Sequence, residues 1–317
     1  MLDSRALRYY DLYEWNRNLM SPFRAIADTA QLFFRNPLNP MSHTLMGRTM
    51  AATAEMFERT TRLYEKPAFD LPQTKVDGKP VSVTENTVWS RPFCNLLHFK
   101  RDVPATRAAD PKVLIVAPMS GHYATLLRGT VERFLPKHEV YITDWVDART
   151  VPLTQGHFDL DDYIDYVLDM IRLLGPDVHV IGVCQPSVPV LAAVALMEAS
   201  NDPKLPRSMT LMGGPIDTRL SPTTVSKIAH EKGLEWFKKN LIMRVPFPNA
   251  GTGREVYPGF LQLSGFMSMN IDRHVNAHQE LFQQLVDGDD ESAEKHKDFY
   301  DEYLAVMDMT AEFIMLA

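Results

Sequence analysis

Cysteine is scarce in this sequence, which has only Cys94 and Cys184 among its 317 residues. Two cysteines do not make a disulfide framework in a chain of this length, so we expect two free thiols in a reducing compartment. The first residues carry acidic side chains and no apolar segment, so we expect no secretory leader. No apolar run approaches the roughly 20 residues of a membrane span. Together these absences predict a cytoplasmic protein.

Long runs of positive charge are missing as well. The chain has 33 Lys and Arg residues against 40 Asp and Glu residues, and its formal net charge is −7. Scattered cations do not make an electrostatic surface for nucleic acid, and an acidic protein gains little from an anionic membrane. Hydrophobic residues make up 45% of the chain, which is enough for a large buried core. We therefore expect a globular protein without a nucleic-acid or membrane partner.

Residues 1–75 predict an N-terminal helical extension. Tyr9, Leu12, Tyr13 and Leu19 recur at helical spacing, with charged residues between them. Aromatic stripes of this kind are usually buried, so we expect the stripe to pack on a core. The alternative is an exposed apolar surface that contacts a partner or a polymer.

Residues 76–217 predict the core of an α/β fold. Two strands joined at Arg91-Pro92 come first, and Cys94 in the second is expected to be a small core residue. Short apolar runs then alternate with amphipathic helical patterns. The runs are VLIV (113–116), VYIT (140–143), VHVIGV (178–183) and SMTLM (208–212). Unbroken apolar strands that alternate with helices indicate a mostly parallel sheet with helices on both faces.

The alternation stops after the last of these runs. Residues 218–317 show helical patterns and loops, and no buried strand pattern follows 208–212. We therefore predict an incomplete sheet of the α/β-hydrolase type, followed by a helical, cap-like region with the rest of the core missing.

A Gly-x-Cys sequence lies where the strand 178–183 meets the next helix. In α/β hydrolases the nucleophile occupies this sharp turn, usually as the Ser of Gly-x-Ser-x-Gly. Here Cys184 takes the place of the Ser, and Pro186 takes that of the second Gly. The positive N-terminal end of the following helix stabilises a thiolate, which is the reactive form of cysteine. The placement favours Cys184 as a nucleophile over a buried structural cysteine.

The segment APMSGHYAT (117–125) follows the strand 113–116. In this architecture the loop at that position supplies one N–H of the oxyanion hole, and the residue after the nucleophile supplies the other. The backbone N–H groups of Gln185 and of Gly121 or His122 are therefore the candidates. The alternative for His122 is an ordinary surface or loop histidine.

Candidates for the rest of a catalytic triad are weak. The later histidines lie in helical or linker stretches rather than after a strand, so we expect ordinary exposed side chains; they are His230, His274, His278 and His296. Asp217 follows a strand end and is a weak alternative acid, although capping of a turn explains it as well. No metal-ligand spacing is visible, so we expect neither a metal nor a cofactor.

Several motifs resemble those of the intracellular poly(3-hydroxybutyrate) depolymerases. They are YEKPAF (64–69), PMSGHYATLLRGTV (118–131), YITDWVDAR (141–149), GVCQPSVP (182–189) and LMGGPID (211–217). The resemblance covers essentially the whole chain except residues 313–317. The Cys-Gln-Pro of the turn is its most specific part.

The resemblance implies hydrolysis of polymer esters through a cysteine acyl-enzyme, with Cys184 as the nucleophile and 3-hydroxybutyrate monomers and oligomers as products. It implies the polymer or the storage-granule surface as partner, a cytoplasmic location at granules, and no cofactor. Family members continue past residue 317 and carry their catalytic Asp and His there. We therefore expect a C-terminally truncated chain with little turnover of its own. The sequence does not predict an oligomeric state.

Two alternatives remain open at this point. A polyhydroxyalkanoate synthase-like acyltransferase also uses a cysteine turn, but the Gln-Pro after Cys184 argues against it. A non-catalytic, granule-binding remnant is the second alternative, since no Asp or His of the triad is assigned.

Overall fold

The computed structural model describes residues 4–220 and 224–316. The chain divides into two compact units. The first unit comprises residues 1–66 and 260–306, and the second comprises residues 67–259 and 307–317. The predicted boundaries at 75 and 217 stay predictions.

The helices and strands are numbered in chain order. The helices are α1 (Ser4–Leu19), α2 (Ser21–Arg35), α3 (Leu45–Thr61), α4 (Arg128–Phe134), α5 (Leu160–Leu174), α6 (Ser187–Ala199), α7 (Thr224–Asn240), α8 (Gly259–Ser268), α9 (Ile271–Asp287), α10 (Asp290–Leu304) and α11 (Ala311–Leu316). The strands are β1 (Gln73–Val76), β2 (Lys79–Arg91), β3 (Cys94–Arg101), β4 (Lys112–Val116), β5 (Glu139–Trp145), β6 (Val178–Val183), β7 (Ser208–Met212), β8 (Met243–Arg244), β9 (Glu255–Tyr257) and β10 (Met309–Thr310).

The second unit is built on a sheet with the strand order β1-β2-β3-β5-β4-β6-β7. The strands β1, β2, β3 and β5 pair antiparallel, whereas β5, β4, β6 and β7 pair parallel. Alternate residues of β4 enter two different hydrophobic clusters: Leu114 and Val116 lie in one, and Val113 and Ile115 in the other. Both faces of the sheet are therefore packed. This confirms the predicted mostly parallel sheet with helices on both faces.

The leading strands form as the sequence predicts, with one addition. The strands β2 and β3 are joined at Pro92 and Phe93, and Cys94 at the start of β3 is fully buried. The short edge strand β1 was not predicted, because its four residues alternate too briefly to give a pattern.

The strand β7 forms one edge of the main sheet. Within residues 4–220 and 224–316 no strand pairs with β7 on its outer side. The expectation that no strand follows Met212 is nevertheless wrong in detail, since β8, β9 and β10 form a small antiparallel sheet. These strands have only two or three residues, which is too short for a visible period.

The first unit is helical. A small core gathers between α3, α9 and α10 and consists of Ala52, Leu281, Leu285, Val286 and Ala293. A second contact is aromatic, because Tyr13 of α1 stacks on Phe260 with ring centroids 4.0 Å apart. Among the described residues, no helix combines the length and apolarity needed to cross a membrane.

Contrary to the expectation, the aromatic stripe of α1 is exposed. Tyr9, Leu12, Tyr13 and Leu19 are all exposed, whereas the neighbouring Tyr10 is buried. Periodicity identifies one face of a helix, but it does not say whether anything covers that face.

Candidate active site

The turn between β6 and α6 holds Cys184 in an unusual conformation. Its φ is +66°, in the left-handed region that non-glycine residues rarely adopt. Two backbone hydrogen bonds fix it: the Cys184 N–H donates to the Met212 carbonyl at 2.7 Å, and the Ser187 N–H donates to the Cys184 carbonyl at 3.0 Å. The thiol is exposed. The backbone turn that the sequence predicts at residue 184 is therefore present, and the role of Cys184 as a nucleophile stays a prediction.

Two glycines make room for this turn. A Cβ on Gly182 would lie 3.2 Å from the Pro186 carbonyl oxygen, and a Cβ on Gly214 would lie 2.1 Å from the Ser187 side chain. The Gly214 Cβ would also lie 2.7 Å from the Cys184 carbonyl oxygen. Gly182 belongs to the Gly-x-Cys sequence that the sequence analysis identified, whereas Gly214 was missed; its signal was the Gly-Gly pair after the neighbouring parallel strand.

The loop after β4 is anchored at both ends inside the second unit. At its start the Ala117 N–H donates to Thr143 Oγ1 at 2.8 Å, and the Ala117 carbonyl accepts from Trp145 Nε1 at 2.8 Å. At its end the Gly121 carbonyl accepts from the Met307 N–H at 2.7 Å, and Gly121 has a φ of +86°. This is the loop that the sequence predicts as one half of an oxyanion hole.

Gln185 joins the loop to the cysteine turn. Its side-chain Oε1 accepts a hydrogen bond from the Met119 N–H at 3.3 Å. Within the described residues, the backbone N–H groups of Gln185 and Gly121 donate to no other backbone group. His122 is buried rather than a surface residue. The fold thus brings together three of the predicted elements, namely the cysteine, the following residue and the loop 117–122.

Buried carboxylates follow β5 and were not singled out as site residues from the sequence. Asp147 Oδ1 accepts from the Arg149 N–H at 2.9 Å and from the Asp308 N–H at 3.2 Å. Burial raises the pKa of the Asp147 carboxyl, against the opposing effect of the Arg149 cation. Burial, reinforced by Asp147, also raises the pKa of the nearby Tyr123 hydroxyl. The sequence signal that could have identified Asp147 is the position of the segment DWVDAR (144–149) at the end of a buried strand.

Asp217 makes a local contact with Arg219. Its Oδ1 accepts from the Arg219 N–H at 3.0 Å, and Oδ2 lies 2.8 Å from the Arg219 guanidinium. Hydrogen bonds from Arg219 lower the pKa of the Asp217 carboxyl. The geometry is that of a turn cap, and the role of catalytic acid stays a prediction.

The later histidines differ from the expectation of ordinary exposed side chains. His230 is exposed, but His274 is buried and its Nδ1 lies 2.9 Å from the Tyr300 hydroxyl. His296 stacks on Tyr300 with ring centroids 4.6 Å apart. The expectation is therefore wrong for His274, because packing between α9 and α10 encloses its ring.

One group of possible metal ligands occurs among the described residues. His157, Asp159 and Asp162 have ligand atoms within 4.8 Å of one another. However, the two carboxylates form the capping box of α5, in which each accepts a backbone N–H of the other residue. A cation there would face the positive end of the helix, so the group is explained by capping.

The strand order and the cysteine turn define an α/β-hydrolase type of protein. A family model described as "PHB de-polymerase C-terminus" matches residues 213–317. Residues 213–317 are therefore similar to the C-terminal segment of this depolymerase family, in agreement with the resemblance of the sequence motifs, and the strand order of the chain is that of an α/β hydrolase.

Solved structures give more distant likenesses. An alpha/beta hydrolase enzyme from the metagenome of Lake Arreo, Spain, has 14% identity and a TM-score of 0.33, over 61% of this chain and 60% of that one. The carboxylesterase CesB from Bacillus subtilis has 13% identity and a TM-score of 0.32, over 50% and 53%. An esterase from the archaeon Pyrobaculum calidifontis has 13% identity and a TM-score of 0.34, over 68% and 64%.

The chain spans less than two thirds of the length of each of these three proteins. Likenesses at this level carry no argument about activity. A search of curated protein sequences gave no match.

Proposed function

We propose that this protein cleaves ester bonds, with Cys184 as the nucleophile and poly(3-hydroxybutyrate) as the substrate. The observation that carries the proposal is the exposed Cys184 on a positive-φ turn, whose next residue, Gln185, is hydrogen-bonded to the loop that leads to Gly121. A nucleophile held next to unused N–H donors is the arrangement that acyl transfer requires.

The first half of the reaction is acylation. The Cys184 thiolate attacks the ester carbonyl carbon, a C–S bond forms, and the carbonyl π electrons move to the oxygen. The N–H groups of Gln185 and Gly121 stabilise this oxyanion. When the intermediate collapses, the C–O bond to the leaving chain breaks, and that chain takes up a proton as its 3-hydroxyl end.

The second half is hydrolysis of the thioester. Water adds to the same carbonyl carbon, the C–S bond breaks, and a carboxylic acid leaves as the thiolate returns. Both halves need a base that moves the proton. We assign no residue of this chain to that role: Asp217 is paired with Arg219, and His274 with Tyr300.

The polymer substrate is supported by the depolymerase family segment at residues 213–317 and by the motifs around Cys184. A polyester of 3-hydroxybutyrate has the same ester carbonyl in each repeat, so the same reaction can cleave any ester bond of the polymer.

The chemistry is tested with p-nitrophenyl butyrate, an activated ester that needs no strong acid to release its leaving group. We expect a burst of p-nitrophenol close to one equivalent of protein, followed by a slower rate. Cys184→Ala abolishes the burst, whereas Cys94→Ala, which changes a buried thiol of β3, keeps it. A burst that survives in Cys184→Ala, or the absence of any burst in a folded wild-type protein, contradicts the proposal.

A further inference from the structure

Two consecutive N–H groups connect the turn after β5 to the loop after β4. The Asp308 N–H donates to Asp147 Oδ1 at 3.2 Å, and the Met307 N–H donates to the Gly121 carbonyl at 2.7 Å. All four residues belong to the second unit. A buried carboxylate after β5 is thus joined, through the short segment 307–308, to the loop that is the candidate half of the oxyanion hole.

The contact at Gly121 orients a peptide group of that loop. Gly121 has a φ of +86°, a conformation that glycine adopts without strain. Its carbonyl belongs to the same trans peptide group as the His122 N–H, and in such a group the C=O and the N–H point in opposite directions. The hydrogen bond from Met307 therefore directs the His122 N–H to the other side of the loop. It anchors both candidate donors of the loop, the N–H groups of residues 121 and 122.

Asp308 is held from several sides. The Ala148 N–H donates to the Asp308 carbonyl at 3.1 Å, and the Gly259 N–H donates to Asp308 Oδ1 at 2.9 Å. These two contacts fix the carbonyl and the side chain of Asp308. Asp147 instead fixes the peptide group that joins Asp308 to Met307, one step along the chain from the N–H that reaches the loop.

Capping of a turn explains only part of what the Asp147 carboxylate does. Its Oδ1 accepts from the Arg149 N–H at 2.9 Å, two residues further on, which is a local cap that Ser or Asn makes equally well. The contact with Asp308 joins positions 161 residues apart. A buried carboxylate is costly unless donors meet it, and this distant N–H is one of the donors.

We propose that Asp147 is a positioning residue for the oxyanion hole, on which it acts through the segment 307–308. The proposal rests on the proposed function, because a hole for an oxyanion matters only if Cys184 attacks an ester. Asp147 holds the peptide group between Gly121 and His122 in place before charge develops on the ester oxygen. Its contribution is therefore to the rate of acylation and not to the binding of the ester.

The test compares Asp147→Ser with Asp147→Asn in the burst of p-nitrophenol from p-nitrophenyl butyrate. Both variants remove the charge, and both side chains cap the turn by accepting from the Arg149 N–H. The Ser oxygen lies one bond nearer to the backbone and falls short of the Asp308 N–H, whereas the Asn oxygen reaches it. If circular dichroism shows that Asp147→Ser is unfolded, Asp147→Thr replaces it, because its hydroxyl lies in the same place and its methyl group fills more of the space.

The matched control is Thr310→Val, which removes a different buried hydrogen bond of the second unit. The Thr310 hydroxyl donates to the Phe158 carbonyl at 2.7 Å. This control measures how far a general loss of stability in the same strand affects the burst.

We expect Asp147→Ser to acylate about tenfold more slowly at saturating ester, with little change in KM. Asp147→Asn restores most of the rate, and Thr310→Val keeps it. Hydrogen exchange gives a second readout. Protection of the Met307 amide falls in Asp147→Ser and is kept in the other two variants.

A wild-type rate in folded Asp147→Ser protein overturns the positioning role and leaves the proposed function intact. Equal losses of rate in Asp147→Ser and Asp147→Asn, or in Asp147→Ser and Thr310→Val, also overturn it, because they report the charge or the stability instead of the contact. Unchanged protection of the Met307 amide in Asp147→Ser has the same consequence. If folded wild-type protein gives no burst, the proposed function fails, and the positioning role fails with it.

Discussion

The side-chain Oε1 of Gln185 accepts a hydrogen bond from the Met119 N–H at 3.3 Å. Through this contact the residue after Cys184 fixes the loop that leads to Gly121. The distance between the two candidate oxyanion donors is thus set by one side chain as well as by the backbone. In acyl transfer, donors act best when their spacing is preorganised before charge develops.

Gln185→Met keeps the length of the side chain and removes the acceptor. We expect the rate of Cys184 acylation by p-nitrophenyl butyrate to fall about 10- to 100-fold, which is the range for a misplaced oxyanion donor. The KM changes little, because ester binding precedes the development of charge.

The matched variant is Gln185→Glu, whose carboxylate still accepts from the Met119 N–H. We expect it to keep the loop in place, as measured by protection of the Met119 amide from hydrogen exchange, whereas Gln185→Met loses that protection. Equal acylation rates in Gln185→Met and wild type would show that the contact has no role in positioning.

Gly214→Ala tests the packing around the cysteine turn. The added Cβ would lie 2.1 Å from the Ser187 side chain and 2.7 Å from the Cys184 carbonyl, so the strand end or the turn must move. We expect a loss of about 2–3 kcal/mol in the free energy of unfolding, within the range for overpacking.

Gly265→Ala in α8 is the matched control, since its Cβ would meet no atom within 4 Å. Alanine is the better helix former, so we expect this control to gain roughly 0.5–1 kcal/mol. Urea denaturation measures both changes. If Gly214→Ala left the free energy of unfolding unchanged, the turn would be packed less tightly than the structure shows.

Arg254 connects separate loops of the second unit. Its buried guanidinium donates to the carbonyls of Val151 at 3.0 Å, Pro152 at 2.7 Å and Gly156 at 2.8 Å. Arg254→Met leaves these carbonyls without that donor, and we expect a loss of about 2–4 kcal/mol in stability. Arg244→Met removes only an exposed pair with Glu255 and should cost less than about 1 kcal/mol. Similar losses in the two variants, by urea denaturation, would contradict the role of Arg254.

His296 makes the first unit sensitive to acid. Burial, with the neighbouring His278 and Arg59, lowers its pKa from 6.5 to about 4. Between these values the unfolded chain binds a proton that the folded chain does not bind. The stability that comes from the neutral ring is therefore complete above pH 6.5 and is lost as the pH falls toward 4.

The variant that tests this is His296→Phe, which keeps an aromatic ring against Tyr300 and cannot ionise. We expect the loss of stability between pH 6.5 and 4 to shrink by about 1–2 kcal/mol, after a discount for the part of the ring that water reaches. The exposed His230→Asn is the control. Identical pH profiles of wild type and His296→Phe would rule out this residue as the cause.

The parts that the sequence could predict are those with local patterns. Buried strands, amphipathic helices and the Gly182-x-Cys184 junction each leave a signal within a few neighbouring residues. The contact of Asp147 with Asp308 leaves none, because it joins positions 161 residues apart. The same holds for Gln185 and Met119, which only the sheet brings together. The exposure of the apolar face of α2, which includes Ile26 and Phe33, was also not predictable, since an apolar face has the same period whether or not it is covered.

The most direct measurement is mass spectrometry of the protein after acid quenching from a 3-hydroxybutyrate oligomer ester. A 3-hydroxybutyryl thioester on the peptide that contains Cys184, removed by hydroxylamine and missing in Cys184→Ala, is the predicted result. A folded protein that carries no acyl group at Cys184, or carries it on Cys94 instead, contradicts the account.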